Sequence, residues 1–452
     1  MNQLPDFLKH GEPARLFPVL ADTNREQRIA SILLAALPQI PALATELFRT
    51  AGIRIGKRSK IETFTEVVLK ETKPSSCRPD GLIVVSTPKS TWTALVEAKI
   101  GKAELNQEQV ERYLNLAKAN GIDAVITLSN QFVARADHPP VPVSKTLLRK
   151  TELFHWSWTW IATQCEILDY QQAVEDEEQL FLLEELTRFL NHSGTGVERF
   201  TQMGKDWKDL VMAVANQEKL KKTGEDVESA VGCWHAEERD LSLQLSRHVG
   251  HPVKAKIERK LVDDPNQRLK QGISELVDTH RLQSSFLVPD SAADLDVCAD
   301  LARKTITVSM KLKAPQDRKS TKARVNWLIR MLKKDDPRLL IRAYWPGRAP
   351  FTQKDIAAVR EDPTALQTDN EKSTPHSFEV LLVEGLGKRF NGRRTFIEDL
   401  ERLVPEFYDL VGQHLHAWQP KPPKPVARKP KESLEALPKE SSGEQEEMDT
   451  GT

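Results

Sequence analysis

The chain has 452 residues, too many for one ordinary core, and at about 150 residues per domain two or three are expected. Hydrophobic residues make up 39% and glycines number 20, slightly below the usual apolar share of roughly 45–50%, so part of the chain is expected to stay unfolded. The 65 Lys and Arg equal the 65 Asp and Glu, so overall charge indicates neither nucleic acid nor membrane and any steering falls to local patches.

No apolar run approaches the ~18 residues needed to span a bilayer, and the opening MNQLPDFLKHGEP lacks the apolar stretch of a secretory signal. The expectation is a cytoplasmic protein with no membrane partner. Cys77, Cys165, Cys233 and Cys298 stand far apart with no CxxC, which encodes neither a disulfide framework nor a four-cysteine zinc site and leaves buried, reduced thiols.

In chain order, residues 25–37 carry apolar side chains at helical spacing behind Asp22, Thr23 and Asn24, each able to cap a helix. Strands are expected at 63–69, 81–85 and 92–99, which are rich in β-branched residues and bounded by Pro and Ser. Helical period returns over 103–120 and stops at Gly121, followed by a strand at 122–128. A strand-like run at 152–158 then leads into a helix at 159–168. This alternation predicts an α/β domain with a partly parallel sheet over residues 1–168.

Residues 169–227, acidic and then polar, read as a helical connector with a helix at 177–190 and a loop signal, NHSGTG, at 191–196. A second domain, α+β, is expected over 228–418, with strands at 304–312, 339–345 and 378–383 and a closing helix at 394–418. Residues 419–452 are Lys/Pro-rich and then Glu/Ser-rich, a composition that predicts disorder.

The chemically informative segment begins Arg78-Pro79-Asp80-Gly81, turns through residues 86–91 and continues from Trp92 through Glu97-Ala98-Lys99. With the reversal centred between Pro88 and Lys89, Asp80 faces Glu97 across a hairpin, Cβ atoms ~4.5–5.5 Å apart. Lys99 shares their side, whereas Val96 and Ala98 turn to the other. A register displaced by two residues in the pair sum keeps the three groups together; an odd displacement separates them. Two carboxylates this close need a shared proton or a cation. Hard oxygen ligands on strands suit Mg²⁺, with Mn²⁺ able to substitute, and that combination suits phosphodiester hydrolysis with Lys99 orienting water or neutralising the scissile phosphate.

Pro79-Asp80 followed by Glu97-Ala98-Lys99, then a helix and a further strand, resembles the PD-(D/E)xK, or restriction-endonuclease-like, nuclease superfamily over about residues 20–168. The resemblance implies a mixed sheet flanked by helices, Asp80 and Glu97 as metal ligands and Lys99 as the catalytic lysine. Gln109 and Tyr113, one helical turn apart, resemble the QxxxY element of the RecB-like branch and are implied to sit beside the metal. The family's acidic residue on the first helix carries over to Glu26 as a further metal ligand, with Glu62 and Glu66 as competitors for that role.

Residues 303–348 hold fourteen Lys or Arg against three acidic residues, a candidate phosphate-binding surface in which Arg318, Lys319, Lys322 and Arg324 grip a nucleic-acid backbone, with Trp327, Tyr344 and Trp345 interleaved. Cys233, His235, His248 and His251 lack zinc-finger spacing, and the histidines read as ordinary helix-surface residues. Trp156, Trp158 and Trp160 alternate at strand period and are expected on one face as core. Gly385-Leu-Gly-Lys388 lacks phosphate-loop spacing, and no GxSxG or HExxH occurs.

The expectation is thus a Mg²⁺-dependent nuclease acting on DNA rather than RNA, with repair or defence against foreign DNA as its setting. A non-catalytic nucleic-acid- or protein-binding component of a larger complex is the alternative. A protein partner for the C-terminal domain and a homodimer both stay open.

Overall fold

Six runs of mainly apolar and β-branched residues, β1 (Leu8–Pro13), β2 (Lys60–Leu69), β3 (Gly81–Ser86), β4 (Thr91–Ala98), β5 (Ala124–Ser129) and β6 (Glu152–Ser157), pair in the order in which they are strung along the chain. The computed structural model describes residues 5–18, 24–70, 78–131, 136–137, 140–144, 146–370 and 372–420. The capping candidates Asp22 and Thr23, Cys77 and the tail beyond residue 420 lie outside the described residues. Strands β1 to β4 are antiparallel to their neighbours, while β4, β5 and β6 run parallel. A parallel step needs a crossover.

Helices cover both faces, which is why β3 and β5 read as unbroken apolar runs. On one side α1 (Arg25–Ala36) and α2 (Pro41–Thr50) pack over Ile83, Val85, Ala94, Val96 and Ile126. On the other, α3 (Gln107–Ala119) makes the β4-to-β5 crossover and buries Val110, Leu114 and Ala117 against Leu82, Leu95 and Val125. Asn106 caps α3, its side chain accepting from Glu108 N–H.

The next helices are α4 (Trp158–Tyr170), α5 (Glu177–Asn191), α6 (Trp207–Ala215) and α7 (Glu225–Val249). Residues 169–227 contribute to both cores. Leu183, Leu186 and Leu190 of α5 join the first core, whereas Met203 and Trp207, Leu210 and Val211 of α6 join the second. Helix α4 packs directly on α7.

The remaining strands β7 (Lys254–Ala255), β8 (Arg281–Leu287), β9 (Leu295–Asp300), β10 (Thr305–Lys313), β11 (Leu339–Tyr344), β12 (Thr352–Asp355) and β13 (Ser377–Gly385) form a seven-stranded sheet ordered β12-β11-β13-β10-β9-β8-β7. Its pairs are all antiparallel. Helices α8 (Arg259–Asp263), α9 (Pro265–Thr279), α10 (Thr321–Ile329), α11 (Ile356–Glu361) and α12 (Arg393–Leu410) accompany it. Ile306, Val308, Met310 and Leu312 of β10 are buried in the core with Phe396, Leu400 and Leu403 of α12, while Thr305, Thr307, Lys311 and Lys313 alternate away from it. The protein is therefore mixed α/β, with one mixed and one antiparallel sheet.

Several expectations are corrected. Helices α2, α6, α7, α8, α9 and α11 and strands β1, β7, β8, β9 and β12 are not expected from the sequence. The run at 152–158 stops at Ser157, whose hydroxyl accepts from Trp160 N–H and caps α4. Trp156, Trp158 and Trp160 therefore do not share a strand face. The closing helix ends at Leu410 rather than 418: Val411 leaves helical geometry at φ −130°, and Gly412–His414 form a 3-10 turn. Cys165, Cys233 and Cys298 are free thiols, the first buried and the other two half-buried. His248 pairs with Asp409 at 2.7 Å, and His251 meets Gln171 at 3.2 Å. No single helix among the described residues is long and apolar enough to cross a membrane.

Helix α7 carries Glu237, 0% exposed, with both carboxylate oxygens lacking a hydrogen-bond partner. Burial first, then the charges of Asp240 and Glu401, push its pKa well above the ordinary carboxylate range. A raised folded pKa contributes stability that is complete below the unfolded value and is lost as pH rises through the folded one. Glu237→Gln should therefore melt higher than wild type at pH 8 and match it near pH 4, as read by calorimetry; equal melting temperatures at pH 8 would refute a suppressed ionisation.

Candidate active site

The β3–β4 ladder runs from Gly81↔Val96 to Ser86↔Thr91, the register expected from a reversal between Pro88 and Lys89. One step beyond the ladder, Asp80 comes opposite Glu97. The backbone N–H of Ala98 donates to Asp80 Oδ2 at 2.8 Å, which fixes the carboxylate over the end of β4. Gly81 allows this approach. A Cβ there would overlap Leu34 Cδ1 of α1 and come within 3.1 Å of the Phe64 carbonyl oxygen.

Glu97 is 2% exposed. Its Oε1 accepts from Gln109 Nε2 at 2.6 Å and lies 2.9 Å from Lys99 Nζ, while Oε2 is buried with no hydrogen-bond partner. Lys99 Nζ also reaches Glu26 Oε2 at 3.1 Å and the Ala98 carbonyl at 3.2 Å. Strand β4 is anchored below this amine: the Lys99 N–H donates to the Leu128 carbonyl at 2.8 Å, and Trp158 Nε1 donates to the Lys99 carbonyl at 2.8 Å. Helix α3 contributes a second brace, since the Tyr113 hydroxyl donates to the Arg78 carbonyl at 3.1 Å and so holds the segment entering Asp80.

Burial, reinforced by the charge of Glu97, lifts the Asp80 carboxyl to about 7, against the opposing Ala98 N–H and Lys99. Burial likewise raises Glu97, with Lys99 partly compensating. For Lys99 burial acts downward, but the hydrogen bond and charge of Glu97, joined by Glu26, outweigh it and keep the amine cationic above its ordinary range. Tyr113 is raised by burial and then by Glu97. Burial thus disfavours ionising both carboxyls, and Lys99 offsets this only in part.

Of the three glutamates considered for the first-helix role, Glu26 reaches the site, whereas Glu62 pairs with Lys60 at 2.8 Å and Glu66 with Arg78 at 2.9 Å. Glu26 meets Lys99 rather than completing a three-carboxylate cage; among the described residues no group of three His, Cys, Asp or Glu converges to hold a metal ion. Asp80 and Glu97 remain as a two-carboxylate donor set. A divalent cation would satisfy the buried, unpartnered Glu97 Oε2 and favour ionised Asp80, and Mg²⁺ takes one or two carboxylates plus waters.

Thr127 and His155 were missed from the sequence. They continue the row of Glu97 across β5 and β6, with Thr127 Oγ1 2.9 Å from His155 Nδ1 and His155 Nε2 2.9 Å from the Gln131 carbonyl. Burial holds His155 down at about 4, so it is a neutral strut. The available signal was a polar residue recurring at one position in two otherwise apolar parallel strands.

The basic stretch is divided in role. Arg324, half-buried, donates to the Arg318 carbonyl at 2.8 Å and the Pro375 carbonyl at 2.7 Å, so it braces the chain. Arg338 is engaged by Asp336, Glu384 and Glu406, and Trp345 is buried. Lys319 and Lys322 are exposed, and Arg318 is half-buried.

No protein-family model matches the chain, and no curated protein is found to be similar to it.

Proposed function

We propose that the protein is a metal-dependent nuclease of the PD-(D/E)xK, restriction-endonuclease-like type, hydrolysing phosphodiester bonds in DNA. The observation that carries this reading is the meeting of Asp80, Glu97 and Lys99 at the end of β4 with a buried, unpartnered Glu97 oxygen. Mg²⁺ or Mn²⁺ would be held by Asp80 and Glu97, and when bound it supplies neutralising charge for phosphoryl oxygens and acidifies a water.

The chain's own groups do the rest. Lys99, locked by Glu97 and Glu26 in its charged form, is unsuited to take a proton; it offers positive charge to the scissile phosphate and a donor that orients the attacking water. Gln109 holds Glu97 in one rotamer, and Tyr113 and Ala98 N–H hold Asp80 in place. Preorganised donors of this kind cost no reorganisation during the reaction.

The test is cleavage of plasmid and single-stranded DNA by the full chain with Mg²⁺, Mn²⁺ or EDTA. Lys99→Ala should lower the rate by about 10²–10³-fold, and Glu97→Gln should abolish metal dependence. A second readout is thermal: Mg²⁺ should raise the wild-type melting temperature and leave that of Glu97→Gln unchanged. Slow degradation alike in EDTA and in both variants would leave the protein as a non-catalytic binding component.

A further inference from the structure

The seven-stranded sheet turns its apolar side chains toward α7, α9, α10 and α12, and its opposite face forms a polar trough of about 500 Å³ lined by Arg281, Gln283, Ser285, Thr307 and Arg342 among others. At the β11 end of that trough two cross-strand rows lie side by side. Lys313, Ser377 and Tyr344 form one, and Lys311, Glu379, Arg342 and Gln353 form the next. Cations and aromatic rings alternate here. Lys311 Nζ stands 3.6 Å from the Tyr344 ring centroid, the Arg342 guanidinium carbon 4.9 Å from that of Phe351, and the two rings are 5.9 Å apart. Phe351 is 50% exposed.

The acid in these rows is already spent. Glu379 accepts from Ser309 Oγ at 3.0 Å, Arg342 Nη1 at 3.3 Å and the Tyr344 hydroxyl at 2.5 Å. Lys311 and Lys313 are exposed and extend the two rows onto β10. The larger cleft elsewhere, about 1150 Å³, offers no such surplus, because its lining holds four Lys or Arg and four Asp or Glu.

We propose that this end of the sheet is a platform for single-stranded nucleic acid. A base stacks on the exposed Phe351 ring, and Lys311 and Lys313 meet the phosphates. A duplex hides its base faces and would leave that ring unused, whereas a strand with unpaired bases uses ring and cations together. An acidic peptide would satisfy the lysines but not the exposed phenyl ring. This binding does not depend on the hydrolytic reading and is measured without it.

The experiment is fluorescence anisotropy of labelled oligothymidine and oligouridine, each about 20 nucleotides, with the full chain in EDTA, so that absence of cleavage does not affect the result. Phe351→Ala, at an exposed position, should weaken binding by about 5–10-fold, the loss of one stacked base. Lys311→Ala combined with Lys313→Ala should flatten the slope of log affinity against log salt by roughly 1.4, two phosphates at ~0.7 each. Lys221→Ala, exposed and remote in sequence, should change neither. Phe351-dependent binding of either oligonucleotide supports the platform. Unchanged affinity and slope in variants that melt like wild type, or tighter binding of a duplex of equal length, would overturn it and leave the cation–ring contacts as braces of the sheet.

Discussion

Asp80→Asn should reduce metal-dependent cleavage by roughly 10³-fold or more, since a lost ligand forfeits several kcal/mol of charge stabilisation at about tenfold per 1.4 kcal/mol, and should nevertheless make the protein more stable in metal-free buffer. The second half follows from the carboxyl's displacement from 3.8 to about 7 by burial and by Glu97. A folded pKa above the unfolded value means that wild type loses stability as pH rises from about 4 to 7, by up to roughly 4 kcal/mol for a shift of this size. Asparagine has no such ionisation, and its side-chain carbonyl can still accept from Ala98 N–H. Thermal melts in EDTA should therefore show the variant several degrees above wild type at pH 8 and the two coinciding near pH 4. A variant that melts below wild type at pH 8 would mean that Asp80 braces the fold instead of burdening it.

Gly81→Val should be the most damaging single change near the site. Its Cβ would overlap Leu34 Cδ1 in the first core and press on the Phe64 carbonyl of β2, and valine adds two methyl groups to that overlap. Overpacking of this kind costs about 1–3 kcal/mol or more. Relief requires α1 to lift from the sheet or β3 to slide from β2, and either motion moves Asp80 relative to Glu97. The expected result is a lower urea midpoint together with cleavage lost beyond what the melting change accounts for. A variant with wild-type midpoint and rate would show that Leu34 rotates away freely and that the approach of α1 is unimportant to the site.

The hairpin was legible because its signals agree: the apolar run LIVV, a turn flanked by Ser and Thr, and one pairing that puts Asp80 and Glu97 together. Spacing could not choose among Glu26, Glu62 and Glu66, because the choice depends on how α1 crosses the end of β4, a tertiary fact. The second sheet was largely hidden. Strands β8 and β9 have Arg, Gln, Ser and Asp on the trough face, which dilutes the alternation into what looks like loop. Helix α7 escaped for the opposite reason: its buried side includes Glu237, Glu238, Asp240, Ser242 and Ser246, so no apolar stripe stands out. The tryptophan spacing misled because Ser157 converts a strand into a helix in mid-run, and the resulting indole of Trp158 supports Lys99 through a bond that no local pattern announces.

The two sheets differ in when they can be completed during synthesis. In the first, each strand lies beside its predecessor, so pairing can follow the nascent chain as it leaves the ribosome. In the second, β13 is seated between β10 and β11, and nothing joins those two until residues near 385 emerge. Until then two half-sheets with unpaired edges must coexist, a state open to aggregation. A truncation just before β13 should consequently abolish folding of the entire C-terminal half rather than trim its margin.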